Sequence, residues 1–307
     1  MDDPWNLGLY AFDIVDDSHG ELLYKQGFCS DFGEWKPQWR QRSFKKNFAE
    51  SIRFPWPKRK FKLIMRKRDS TNLFHEIWEE YINPNHYELA WQKPDAKIRY
   101  FLKNGEPKEK VDIVLLADGY AITDTAAFTS NVERFIDAFF SVEPFKNRKT
   151  EFNVAVVYAL SPVSGIRLER SNYYPSNILG CTFYTFDIER YVLSEKEWTV
   201  RDYAATVSYD FIGILLNTDK YGGGGIYNLY TTASARTYNA GYVMVHEMGH
   251  HIAGLADEYY TSDIPYQVSA PKYEPWEFNI TALLNPDSLK WRNLVEPNTP
   301  IPTPWQK

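Results

Sequence analysis

The pattern of apolar and polar positions changes character near residue 106. Before it, short runs rich in aromatic and β-branched residues (7–15, 21–29, 44–54 and 60–68) alternate with turn chemistry such as Asp16-Asp17-Ser18-His19-Gly20 and Pro55-Trp56-Pro57. In the last run Phe61, Leu63 and Met65 alternate with Lys62 and Arg66, the period of a strand with one buried face. This rhythm predicts an antiparallel β-sandwich over residues 1–106.

Beyond Asn104-Gly105-Glu106-Pro107 the runs become longer and periods mix. Residues 111–117 form an unbroken apolar strand ending at Asp118-Gly119, and Thr123 or Asp124 can cap a helix reaching about residue 140. Residues 152–159 then read as a second strand, giving a β-α-β start. A helix over 195–207, a strand over 211–217, the loop Tyr221-Gly222-Gly223-Gly224-Gly225, a strand over 226–234 and a helix over 242–254 follow. The fold class expected is α+β: a β-sandwich, then an α/β domain over 107–307 whose sheet is covered by helices. No internal repeat is visible.

Composition narrows the function classes. With 307 residues, 44% hydrophobic, 24% charged and 17% aromatic, the chain is neither disordered nor fibrous. A net charge of −5 argues against a dedicated nucleic-acid binder, and the basic stretch 58–68 falls on a half-exposed strand. No apolar run approaches the roughly 18–20 residues of a membrane span, so no transmembrane segment is expected. Cys29 and Cys181 are too few for a disulfide framework and too distant for a CxxC motif. The start, Met-Asp-Asp-Pro-Trp, shows no secretion signal.

The chemistry concentrates between residues 246 and 260. Three of the six histidines, His246, His250 and His251, lie on the predicted helix 242–254. Four helical residues span little more than one turn, so His246 and His250 of His246-Glu247-Met248-Gly249-His250 point the same way and can share one zinc ion. Glu247 flanks that site, where a carboxylate can take a proton from water acidified by the metal. Apolar Tyr242, Val243, Val245, Ile252 and Leu255 make the helix buriable, and Gly254 is placed to end it. A turn there would bring Asp257 back as third ligand, with Glu258 either replacing it or hydrogen-bonding to the ligands. His251 points about 100° away from His250 and reads as structural. Tyr259 or Tyr260 could place a phenol near the reacting carbonyl, or belong to the core.

Other schemes find less support. The glycines 222–225 lack the Gly-Lys-Ser/Thr ending of a phosphate loop; they read instead as a turn presenting 226–234 as an edge for an extended peptide, or as a plain hairpin turn. Ser43-Phe44-Lys45-Lys46 matches a serine-lysine pattern on a predicted strand, and Ser164-Gly165 lacks the glycine of a nucleophile elbow. A glutamate ligand from a second helix would have to be Glu274 or Glu277, which sit among prolines.

At these residues the chain resembles the IgA peptidase-type zinc metalloendopeptidases, a metzincin-like family. The resemblance rests on 246–250 with Gly254-Leu255-Ala256-Asp257-Glu258-Tyr259-Tyr260, and extends to 111–120, 139–145, 221–230 and Glu274-Pro275-Trp276 leading to Asn279-Ile280-Thr281-Ala282-Leu283. Gly33-Glu34-Trp35 and 53–58 are similar to its N-terminal domain. It implies an endopeptidase of protein or peptide substrates, secreted or held at the cell surface, with zinc on His246, His250 and Asp257 and Glu247 catalytic. IgA as substrate is not implied. Two features depart from the pattern: Asp257 lies one residue further from His246 than is typical of metzincins, and none of Met1, Met65, Met244 and Met248 follows the helix to supply a methionine turn. The chain is therefore expected to be a fragment lacking the lower catalytic subdomain. The alternative function is a protein- or glycan-binding surface protein with a structural or incomplete zinc site, which would have no need of Glu247 as a base.

Overall fold

The computed structural model describes residues 3–36, 45–86, 94–257 and 272–301. The fold is α+β, and by contact the chain divides into two discontinuous units, Met1–Phe28 with Pro57–Asn83 and Gly254–Lys307, and Cys29–Trp56 with Pro84–Ala253.

The first unit is built on strands β1 (Tyr10–Asp16), β2 (Leu22–Phe28), β3 (Phe61–Arg68) and β4 (Phe74–Ile82), in the order β2-β1-β3-β4 and antiparallel throughout. Among the described residues this is a single sheet rather than the expected pair of facing sheets. The predicted strand 44–54 explains the difference: its described part, 45–54, has no regular structure and belongs to the other unit. There Phe48 packs on Phe32 and Trp35 of a short helix, α1 (Asp31–Trp35). An aromatic-rich run was used as an anchor instead of a strand. The basic stretch of β3 is engaged internally: Lys62 pairs with Glu79, Arg66 with Asp13, and buried Arg68 donates to the carbonyls of Gly8, Asn72 and Asn6.

The C-terminal segment of the same unit is held by side chains rather than by regular structure. Asn72 donates to the Glu274 carbonyl, the Arg68 guanidinium lies 5.9 Å from the Trp276 ring, and Trp5 meets Phe278 edge-on at 5.9 Å.

The second unit contains a six-stranded sheet. Its strands are β5 (Ile98–Leu102), β6 (Val111–Asp118), β7 (Phe152–Val157), β10 (Phe211–Leu216), β11 (Gly223–Ile226) and β12 (Tyr230–Ser234), ordered β11-β12-β10-β6-β7-β5. The four inner strands are parallel, and β5 and β11 close the two edges antiparallel. A small ribbon pairs β8 (Cys181–Thr182) with β9 (Leu193–Ser194). The central strands are buried along nearly their whole length, as parallel strands covered on both faces must be. Helix α2 (Thr125–Phe139) presents Phe128, Val132, Phe135, Ile136 and Phe139 to the face carrying Ile113, Leu115 and Ala117. Val114 and Leu116 point the other way and are equally buried, and helix α3 (Glu197–Ala204) packs against β6.

One sequence expectation needs correction. Residues 226–234 are not an exposed edge behind a mobile glycine turn: Gly223–Ile226 is itself the edge strand, and β12 lies inside the sheet with every residue buried.

Candidate metal centre

Helix α4 (Ala240–Ala253) follows β12 and lies against β11 and β12. Met244, Met248 and His251, spaced four and three residues apart, form its buried stripe. That stripe leaves His246, Glu247 and His250 half-buried beside it. Gly254, at φ +59°, ends the helix in the left-handed conformation a side chain rarely takes.

The edge strand approaches this helix so closely that only glycine fits. A Cβ added to Gly225 would stand 2.2 Å from the Glu247 carbonyl oxygen and 3.1 Å from the His250 Cβ, and one on Gly223 would stand 3.4 Å from the Glu247 Cγ. The glycine run that suggested a flexible turn is thus a packing surface beneath Glu247.

The His246 and His250 rings face each other perpendicularly with centroids 4.7 Å apart, and their Nε2 atoms converge to 3.1 Å. A tetrahedral zinc with Zn–N bonds of about 2.0–2.1 Å holds two such nitrogens ~3.3 Å apart, so the pair already stands near the required spacing. A carboxylate oxygen of Asp257 completes the group: one ligand atom from each of His246, His250 and Asp257 lies within 4.8 Å of the others. Two imidazoles and a carboxylate suit zinc or a similar divalent ion. Among the described residues no other group of three such side chains converges in this way.

The third histidine has a different fate. Buried His251 accepts from the Ile212 amide at Nε2 and donates to the Ile226 carbonyl at Nδ1, both at 3.0 Å, and these partners fix it as one neutral tautomer. Burial pushes its pKa down to about 3. It ties α4 to β10 and β11.

Other predicted groups are placed as follows. Glu258, Tyr259, Tyr260 and Ser43 lie outside the described residues. Ser164 donates to Asp124, which itself accepts from the Ala121 amide. Glu274 is occupied in a turn, accepting from the Thr281 hydroxyl and the amides of Ala282 and Leu284. Cys29 and Cys181 are both buried thiols.

Two polar residues that the sequence marks only as a strand end and as part of a family-like stretch have roles it does not announce. Fully buried Asp118, at the end of β6, accepts from the amides of Leu179 and Cys181 and from Asn177, anchoring the loop before β8. Asn279 bonds both main-chain groups of Ala256, next to Asp257. Neither a lone strand-end aspartate nor a loop asparagine carries a periodic signal.

A family model described as IgA Peptidase M64 matches residues 100–307, and one described as Peptidase M64 N-terminus matches residues 1–79. The chain belongs to the M64 peptidase family. No curated protein matches it. An M64 peptidase acts on protein or peptide substrates, and the histidine-histidine-aspartate group lies within the part of the chain matched by the M64 peptidase model. Among the described residues no helix is long and apolar enough to cross a membrane.

Proposed function

We propose that this M64 peptidase is a zinc-dependent endopeptidase of metzincin-like design, with zinc held by His246, His250 and Asp257 and Glu247 as general base. The observation that carries the reading is the convergence of the two Nε2 atoms and the Asp257 carboxylate beside a glutamate of the same helix. When bound, the zinc supplies a Lewis acid for the scissile carbonyl and lowers the pKa of a water to about 7. The Glu247 carboxylate accepts the proton of the attacking water and delivers it to the departing amine. Its stem rests on β11, so the packing of Gly223 and Gly225 sets the height of the carboxylate above the sheet. By family resemblance the protein acts outside the cell or at its surface.

Glu247→Gln tests this. The variant keeps the shape of the side chain and all three ligands but cannot take a proton. Peptide hydrolysis is expected to fall by at least about 100-fold, the usual worth of a general base, with zinc content unchanged. Equal turnover by Glu247→Gln and the parent chain would refute the mechanism; unchanged binding of a protein or glycan with no turnover in either would favour a binding role.

A further inference from the structure

The clamp on Ala256 bears directly on the third ligand. The Ala256 amide donates to Asn279 Oδ1 at 2.9 Å, and the Ala256 carbonyl accepts from Asn279 Nδ2 at 2.7 Å. One side chain thereby takes both main-chain groups of the residue immediately before Asp257. Two bonds to one residue fix the planes of both its peptides, and the second of those peptides sets the direction in which the Asp257 side chain leaves the backbone.

Asn279 is itself held in a rigid frame. The Lys290 ammonium donates to the carbonyls of Glu277 and Ile280, at 2.6 and 2.9 Å, on either side of it, and to that of Pro275. The Glu274 carboxylate buckles the following turn through Thr281, Ala282 and Leu284. Asn72 and the Arg68–Trp276 stack fasten the start of this frame to the β3–β4 hairpin.

Both bonds of the clamp are exposed to solvent. Water can therefore replace them at little cost in stability, since an exposed hydrogen bond contributes only about 0.5–1.5 kcal/mol net. Water cannot replace the orientation they impose. We propose that Asn279 is a positioning residue for the metal centre, acting through Ala256 to aim the Asp257 carboxylate at His246 and His250. The proposal rests on the zinc reading given above.

The test is zinc affinity of the full chain, measured by competition with a chromophoric chelator, for the parent, Asn279→Ala, Asp257→Ala and the double variant. Asn279→Ala is expected to weaken zinc roughly 10–100-fold, the usual effect of losing a group that orients a ligand, with little change in the unfolding midpoint of the metal-free chain. The double variant is expected to bind no more weakly than Asp257→Ala alone, because Asn279 acts only through Asp257. Asn285→Ala, which removes a turn-capping bond to the Asp287 amide in the same segment, should leave zinc affinity unchanged. Asn279→Gln, carrying the same groups on a longer stem, should show an intermediate loss and serves if the alanine variant fails to fold. Parental affinity in both Asn279 variants, or the full loss repeated in the Asp257→Ala background, would overturn the positioning role. Asp257→Ala binding as tightly as the parent, or a parent that binds no zinc, would overturn the metal centre and this proposal with it.

Discussion

Three histidines within six residues of one helix show how far environment decides role at the residue scale. His246 and His250 leave the helix on its half-buried side and converge, whereas His251 points into the sheet and is spent on two backbone groups. Residue type and spacing alone reveal the pair, because i and i+4 share a face; the third is separated from it by helix rotation. Asp31 is a comparable case in which the sequence gives no sign. It is buried in α1, accepts from the Tyr230 hydroxyl at 3.4 Å, and its pKa is pushed up to about 8 by burial and by the nearby carboxylates of Glu197 and Glu50. An unfolded aspartate releases its proton near pH 3.9, whereas folded Asp31 keeps it to about pH 8. Its contribution is thus fully present below about pH 4 and is lost as pH rises through 8, at no more than about 1.4 kcal/mol per pH unit. Asp31→Asn cannot ionise, so between pH 5 and pH 8 the variant should gain roughly 2–4 kcal/mol relative to the parent in urea unfolding. A constant difference across that range would mean that Asp31 is ionised in the folded protein.

At the scale of elements, the long apolar runs were legible and the edges were not. The run at 111–117, the periodic segment at 123–140 and the helix around the histidines emerge as β6, α2 and α4 with ends shifted by one or two residues, because each has a strong period or an unbroken apolar face. The glycine run gave the opposite impression: glycine usually marks a turn, yet here it makes a strand thin enough to lie under a helix. That packing is testable. Gly225→Ala drives a methyl group into the Glu247 carbonyl, so the helix must move. The expected cost is roughly 1–3 kcal/mol of stability, as for other overpacked sites, together with weaker zinc binding. Gly20→Ala is the comparison: Gly20 has φ +67° and nothing within 4 Å, so only the backbone penalty of about 1–2 kcal/mol applies, and zinc binding should be untouched. Parental zinc affinity and stability in Gly225→Ala would show that β11 does not fix the helix.

For the whole molecule, the division by contact differs in kind from any division along the chain. The family models meet the sequence as consecutive blocks, 1–79 and 100–307, and the change in apolar pattern near residue 106 is likewise a linear boundary. The contacts instead join Gly254–Lys307 to the N-terminal strands. Nothing in the apolar pattern of 272–301 announces that return, because it is made by single side chains: Asn72 on the Glu274 carbonyl, Arg68 over Trp276, Trp5 against Phe278. A polypeptide of residues 100–307 retains His246, Glu247, His250 and Asp257 but loses every one of those partners. The segment bearing Asn279 would then keep its internal bonds to Lys290 and Glu274 while losing the sheet it rests on, uncovering half-buried Trp276 and removing the edge-on contact of the already exposed Phe278. Such a chain should bind zinc at least about 10-fold more weakly than the full protein, the scale of effect expected when the support of a ligand is removed. Adding residues 1–99 as a separate polypeptide should restore part of the loss if the strands refold around the segment. Zinc titration of the two chains decides the matter: equal affinity would show that residues 100–307 hold Asp257 in place unaided and that the N-terminal strands contribute nothing to the metal centre.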